Sequence, residues 1–462
     1  MKTDIKKPRA AFAALVFALS ACAYGDNADG WQNLFNDDLS NAEYDHSVWS
    51  KDADGCLTAS KDVAIWTRDQ FGRFELECEY NLEPAGNSGI LLYCTDPQNW
   101  IPNAVEVQLI DNDAPKWKDL DPKQANLAFF GHRAPTSNPA KPAGQWNRVR
   151  LRADGPRLTL WLNGEKVNEC DRAEWTDAKR LPDGSAIPPW LSRPWSDLPY
   201  TGQIGFQGRH AGAGVRFRGI RMRPLPPKPR KSLRLMSFNV RMGCGLKDPF
   251  LLPKDSSGHL PQCADVIRRV RPDIVGVQEI DRCSRRAGGV DQTARLAALS
   301  GMKGAWVEKT KDYGISILYR EPPFRTGKVL MPGSLHTRAL EIADFGDFAV
   351  ANTHFPLAEW ACTNAARVVR AALAGMDKPV FLMGDLNSRP ESAAIRSLAE
   401  DFAILSDVAA MTFPADKPDR CIDYIMVDKG HADIVRVKSR ETIAAPEATD
   451  HCAVVTELEL AR

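Results

Sequence analysis

The stretch from Arg223 to Lys231 reads Arg-Pro-Leu-Pro-Pro-Lys-Pro-Arg-Lys. Proline fixes φ and offers no amide donor, so such a run cannot continue a helix or the middle of a sheet and stays extended. It cuts the 462-residue chain into two parts of domain size, in keeping with a length beyond the reach of one hydrophobic core. The expected divisions are a signal over residues 1–23, a first domain over 30–224, a linker over 225–232 and a second domain over 233–462.

Hydrophobic patterning differs on the two sides. Before the linker come short apolar or alternating runs, such as Phe74–Tyr80, Val105–Ile110, Leu158–Leu162 and Val215–Met222, separated by Gly, Pro, Asn and Asp. With no long helical period between them they predict a β-sandwich. After the linker, apolar strands (Leu233–Asn239, Ile274–Gln278, Ile315–Tyr319, Phe348–Thr353, Val380–Met383, Tyr424–Val427, Ala453–Leu458) alternate with helical stretches at Asp265–Val270, Thr293–Leu299 and Thr363–Ala374, an α/β pattern.

At the N-terminus, Lys2, Lys6, Lys7 and Arg9 precede an apolar run, Ala10 to Leu19, and then small residues, the order of an export signal too short to span a bilayer as a mature helix. Two readings stay open: lipidation at Cys22, in Leu19-Ser20-Ala21-Cys22, or ordinary cleavage after Ala23. Either places the protein outside the cytoplasm, in the periplasm, in the medium or tethered to a bacterial envelope by its N-terminal lipid. A net charge of +1 advertises no broad basic face, which disfavours nucleic acid as a partner without excluding it. Ten further cysteines lack CxxC spacing, which argues against cysteine-bound zinc and leaves disulfides and buried thiols both open.

In the second half, polar side chains fall where predicted apolar strands end. Asn239 ends Leu-Met-Ser-Phe-Asn, Glu279 ends Ile-Val-Gly-Val-Gln-Glu, and His354 follows Val-Ala-Asn-Thr. Asp385 and Asn387 lie in Leu-Met-Gly-Asp-Leu-Asn, Asp423 opens Ile-Asp-Tyr-Ile-Met-Val, and Asp450-His451 precede the last strand. One such residue is ordinarily a turn former. Eight such residues in one domain describe a hard, oxygen-rich site suited to Mg²⁺ or Mn²⁺, with Asp423 and His451 as a carboxylate–imidazole pair able to move a proton near neutral pH.

In order, Ser237-Phe238-Asn239-Val240, Gln278-Glu279, Thr353-His354, Gly384-Asp385-Leu386-Asn387, Ile422-Asp423-Tyr424 and Thr449-Asp450-His451 resemble the endonuclease/exonuclease/phosphatase superfamily. The resemblance implies an α/β four-layer sandwich of the DNase I-like type and a metal-dependent phosphoesterase. It implies Glu279, Asn239 and Asp450 at the metal, Asp385 and Asn387 orienting nucleophile and phosphate, His451 held by Asp423 as base or imidazolium, and His354 at the phosphate or leaving group. The loop Asp281 to Gln292 resembles one in small bacterial members, and its Arg285 and Arg286, with Arg338, are candidates for reading a second phosphate or anionic head group.

In the first half, Asn87-Ser88-Gly89-Ile90-Leu91-Leu92, Glu106-Val107-Gln108-Leu109-Ile110-Asp111, Gln145-Trp146-Asn147, Trp161-Leu162-Asn163-Gly164 and Gly202-Gln203-Ile204-Gly205-Phe206-Gln207 resemble the 3-keto-disaccharide hydrolase family, a concanavalin-like jelly roll. This implies carbohydrate binding or glycoside cleavage, with Glu106, Gln108 and Asp111 as the polar site. The segment Leu127 to His132 departs from the family's usual sequence. Ten of the twelve tryptophans precede the linker, as core or as sugar platforms. The expected activity is therefore an exported phosphoesterase carrying a carbohydrate domain. Alternatives are a secreted nuclease, a 3-keto-glycoside hydrolase with an accessory phosphoesterase, and a sphingomyelinase-like lipid phosphodiesterase using Phe250-Leu251-Leu252 and Phe355-Pro356-Leu357 as apolar flanks.

Overall fold

The computed structural model describes residues 30–461 apart from 229, 247–256, 311 and 334–336, and the side chains of 308–310 are also left aside. The expected signal with Cys22, and Phe250-Leu251-Leu252, lie outside the described residues. No described helix is long and apolar enough to cross a membrane. The ten described cysteines are free thiols, all buried except Cys283.

The first part is a sandwich of an eight-stranded and a five-stranded antiparallel sheet. In Phe74–Leu82 the side chains of Phe74, Leu76, Cys78 and Tyr80 enter the core while Glu75, Glu77 and Glu79 face outward, the period-two alternation of a strand with one wet face. Neighbouring strands answer the glutamates with arginines: Arg150 to Glu75 (2.7 Å), Arg148 to Glu77 (2.6 Å) and Arg218 to Glu79 (2.8 Å). Trp146 lies under Arg218 and Trp31 under Arg223, so these tryptophans stack on guanidinium groups. Trp49, Trp66, Trp175 and Trp195 are core, and Trp190 stands exposed.

The second part packs a six-stranded sheet on a seven-stranded one. Between them lies a core that includes Leu235, Ile317, Val350, Phe381 and Ile425. Leu260–Val270 and Gln292–Ser300 cover the outer face of the first sheet, and Glu359–Leu373 and Ala393–Leu398 that of the second, giving four layers. Ser232–Asn239 runs parallel to Ile274–Asp281, and Ala349–His354 parallel to Val380–Asp385. The C-terminal ends of these four strands carry Asn239, Glu279, His354 and Asp385, so the two sheets deliver the polar groups to one rim of the sandwich.

The junction between the two parts is ordered. The short strand Gln70–Phe71 of the first part pairs with Arg325–Met331 and becomes the edge of the second part's seven-stranded sheet. Phe324 reaches back into the first part's core and packs on Phe71 with ring centroids 5.9 Å apart. A Cβ on Gly72 would stand 2.2 Å from the Pro323 carbonyl oxygen, so this backbone approach requires glycine. Thr201 and Tyr319 hydroxyls lie 2.7 Å apart across the junction, and the linker is tied down by Arg73 Nη1 donating to the Pro226 carbonyl (3.2 Å).

Because Phe324 belongs to the other part's core, Phe324→Ala should destabilise the junction by about 3–5 kcal/mol, the usual cost of emptying a phenylalanine site. Denaturant unfolding followed by tryptophan fluorescence, which reports mainly the first part, checks this. A fluorescence midpoint left unchanged would mean that the two parts do not share a core there.

Candidate active site

The Ile274–Asp281 strand breaks register with Tyr313–Tyr319 between Gln278 and Ile280, and Glu279 at the bulge takes φ +53°. Arg241 (φ +47°), Met242 (φ +58°) and Asn387 (φ +46°) are also left-handed without being glycine. Such conformations cost energy in ordinary residues and persist where the surrounding structure fixes them, which happens most at functional sites. The bulge turns the Glu279 carboxylate toward the rim instead of leaving it in the alternation of the strand.

Asn239 is fully buried and organises the centre. Its Nδ2 donates to Asp385 Oδ2 (2.9 Å) and Glu279 Oε1 (3.2 Å), and its Oδ1 accepts from the Arg241 amide (3.0 Å). Asp385 Oδ1 accepts the Asn387 amide (2.9 Å), while Asn387 Nδ2 is anchored on the Phe355 carbonyl (2.9 Å). His354 Nε2 lies 3.6 Å from Asp385 Oδ2 and 3.8 Å from Glu279 Oε1. His451 Nε2 lies 3.6 Å from the same Asp385 oxygen, and its Nδ1 is 3.0 Å from Asp423 Oδ2. Thr412 Oγ1 donates to that Asp423 oxygen (2.6 Å) and fixes the carboxylate against the ring. Asp450 pairs with Arg241 Nε at 3.2 Å.

The electrostatics follow from four carboxylates held close together with little cationic compensation. Burial first, and then the charge of Asp423, push Asp385 up to about 7 against the pull of His451. Asp450 is raised as well, chiefly by burial. Burial alone would lower His451, but Asp423, Asp385 and Asp450 outweigh it and raise the imidazole to about 10. Glu279 Oε2 and Asp423 Oδ1 are buried without a hydrogen-bond partner. Glu279, His354 and Asp385 form one group able to hold an ion, and Asp385, Asp423 and His451 another.

The expected residues Asn239, Glu279, His354, Asp385, Asn387, Asp423, Asp450 and His451 therefore meet at one rim. The expected anion readers separate. Arg286 places two nitrogens on buried Asp281 (2.6 and 2.7 Å) and lies over Tyr313, so its fork is spent inside the loop. Arg285 is exposed on that loop. Arg338 opens the strand paired with Ala349–His354, two residues before the Leu340–Thr353 pair at which the register begins, and has a buried Nε without a hydrogen-bond partner. Arg241 and Thr412 were not expected. Arg241 directly follows the Ser-Phe-Asn-Val motif, but only the fold reveals its contact with Asp450.

On the first part, Glu106 and Gln108 share one face of Val105–Ile110, and Gln108 Nε2 donates to Asn87 Oδ1 (2.8 Å). A Cβ on Gly89 would lie 2.7 Å from Glu106 Oε1, so glycine makes room for that carboxyl. Asp111 stands apart from this pair: it lies beyond the strand end, and its Oδ2 accepts the Ala85 amide (2.9 Å) in a turn. Two unexpected groups approach Glu106 instead, His210 and Asp62, whose Nδ1 and Oδ2 are 2.5 Å apart. Burial pushes Glu106 up to about 8, with His210 opposing and Asp62 assisting. In the divergent segment, buried His132 stacks on Trp195 at 3.7 Å, a packing role.

Comparisons with known proteins agree with this division. Residues 25–223 match the model of the 3-keto-alpha-glucoside-1,2-lyase-like domain, and residues 236–451 that of the endonuclease/exonuclease/phosphatase family. The chain is 26% identical over 233 residues to a 3-keto-disaccharide hydrolase of Bacteroides thetaiotaomicron, covering 44% of this chain and 76% of that protein. A solved structure from Parabacteroides distasonis, provisionally named a glycosyl hydrolase, is 41% identical and covers 42% of this chain and 99% of its own, with a TM-score of 0.41. An endonuclease/exonuclease/phosphatase structure from Bacteroides vulgatus is 22% identical and covers 50% of this chain and 100% of its own, with a TM-score of 0.42. The chain thus carries, in succession, a 3-keto-alpha-glucoside-1,2-lyase-like domain and an endonuclease/exonuclease/phosphatase domain, each matched over its own part of the sequence.

Proposed function

We propose that the C-terminal domain hydrolyses a phosphate ester with the help of Mg²⁺ or Mn²⁺, in an exported protein whose N-terminal domain engages carbohydrate. The observation that carries this reading is the His451 imidazole set between Asp423 and Asp385, at the edge of a carboxylate cluster whose charge the protein leaves uncompensated. The donors fit a hard cation: the unpartnered Glu279 Oε2, the Asp385 and Asp450 carboxylates and the Asn239 amide are oxygen ligands of the kind Mg²⁺ and Mn²⁺ prefer. Such a cation supplies charge compensation for a phosphate that these carboxylates would otherwise repel.

The side chains then divide the work. Asp385, held by the Asn239 side-chain amide and the Asn387 N–H, is placed to orient the nucleophile and the phosphate. His451 is held in its charged form by its carboxylate neighbours and presents a proton to a phosphoryl or leaving-group oxygen. Asp423, locked by Thr412, sets the ring's orientation, and His354 is placed to contact the phosphate. Arg338, on the strand paired with Ala349–His354, is the cation offered to a remote anionic group of the substrate. Export rests on the basic and apolar N-terminal pattern.

The test is hydrolysis of 4-nitrophenyl phosphate and bis(4-nitrophenyl) phosphate by the intact chain, with EDTA and with Mg²⁺ or Mn²⁺ restored. Turnover of one ester is expected only with metal, with Glu279→Gln inactive. Asp423→Asn should lower kcat by about 10²–10⁴-fold with KM little changed, the range of a positioned acid–base group. Metal-independent turnover, or full activity in Glu279→Gln, would refute the reading.

A second reading concerns the N-terminal face, where the raised Glu106 carboxyl beside the His210–Asp62 pair favours acid catalysis on a glycosidic bond. Because folding raises the Glu106 pKa, its contribution to stability is complete below the ordinary 4.5 and is lost as pH rises through about 8. Thermal unfolding from about pH 5 to 9 should show the wild type losing more stability than Glu106→Gln. Parallel curves would mean that Glu106 is not held protonated.

A further inference from the structure

Between the two domains lies a cavity of about 300 Å³, near the lower end of the range for small-molecule sites. Gln70, Thr95 and Arg193 line it from the first domain, and Arg282, Lys303 and Trp306 from the second. None of its lining residues belongs to the carboxylate cluster or to the Glu106 face.

Its walls are built for an anion. Arg193, Arg282, Arg295 and Lys303 meet only two carboxylates there, Asp197 and Asp291. Next to it, fully buried Arg172 adds a further positive charge: it is stacked between Tyr93 (4.4 Å) and Tyr200 (5.1 Å), and its Nε and Nη1 have no hydrogen-bond partner. Lys303 shares the Tyr200 ring at 4.9 Å, and burial together with Arg172 lowers it to about 8. Asp197 opposes this shift only in part, and the ammonium also donates to the Ser196 carbonyl. Three wall residues also carry buried polar atoms without a partner: Thr95 Oγ1, Thr293 Oγ1 and Trp306 Nε1. These three atoms lie behind the wall, out of reach of a bound molecule, and the cationic side chains are the groups that the cavity offers.

Cationic donors suit a phosphate or carboxylate, while Gln70, Asp197 and Asp291 are acceptors for hydroxyl groups. We propose that this interdomain cavity binds a small polyhydroxylated anion, a sugar phosphate or sugar acid of monosaccharide size, held by both domains at once. The Asp281–Gln292 loop then reads an anion through Arg282, which crosses to the Thr95 carbonyl of the other domain and stacks on Trp306 at 5.1 Å. Occupancy would brace the junction without touching either catalytic face.

Lys303 provides a local reporter. Intact protein with EDTA is acetylated near pH 8, where Lys303 titrates, and the rate at each lysine is mapped by mass spectrometry. The probes are glucose 6-phosphate, glucuronate and neutral glucose, with exposed Lys438 as the internal reference. We expect glucose 6-phosphate or glucuronate, and not glucose, to slow Lys303 about tenfold relative to Lys438, the scale of a charge-assisted contact. The stronger of the two identifies the anion as phosphate or carboxylate. Protection should be lost in Arg282→Gln and weakened in Arg295→Gln, whose exposed side chain can be changed without disturbing the fold. No protection by either anion, equal protection by glucose, or protection undiminished in both variants would overturn the proposal.

Discussion

Glu279, Asp385, Asp423 and Asp450 converge at one rim of the second sandwich, and like charges at that range are tolerated only with protons, cations or strong hydrogen bonds between them. Within the protein the available compensation is small. Asn239 gives amide hydrogens to two of the acids, Arg241 pairs with a third, and His451 bridges Asp423 toward Asp385. Asp385 and His451 are both raised in proton affinity, so protonation relieves part of the remainder. Two parallel strand pairs carry these groups to the same rim, and the left-handed backbone at Glu279, Arg241 and Asn387 is the local strain through which they reach it.

The N-terminal domain is more than an appended binding unit. It donates a strand to the second domain's sheet, receives Phe324 into its own core and closes one side of a cationic cavity. Its Glu106 face and the carboxylate rim are therefore parts of a continuous structure, and the linker acts as a pinned connection. In the arginine–glutamate ladder on its outer sheet the arginines are part-exposed but Glu75 and Glu77 are buried beneath them, and only the Arg218–Glu79 pair is exposed on both sides, where it contributes little to stability.

Much of this was legible in the sequence. Apolar runs ending in Asn, Glu, His or Asp marked the strands and the rim together, because a parallel β-α-β arrangement sends strand ends to one side. Missed strands such as Arg325–Met331 and Val435–Ile443 carry mixed polar faces near sheet edges, where hydrophobic alternation fades. Arg241, Thr412, His210 and Asp62 act through tertiary contacts with residues distant in sequence or through unusual backbone angles, neither of which leaves a local pattern. Arg286 and Asp111 illustrate the converse: their composition invited a binding role, and the fold uses one to clamp Asp281 and the other to close a turn.

The central claim is that the carboxylate cluster is completed by a divalent cation, and titration of the metal-free intact chain with Mn²⁺, followed by electron paramagnetic resonance, tests it most directly. The account predicts saturable binding, weakened about 10–100-fold or more by Glu279→Gln and by Asp385→Asn. Absence of saturable binding, or equal binding by the wild type and both variants, would contradict it.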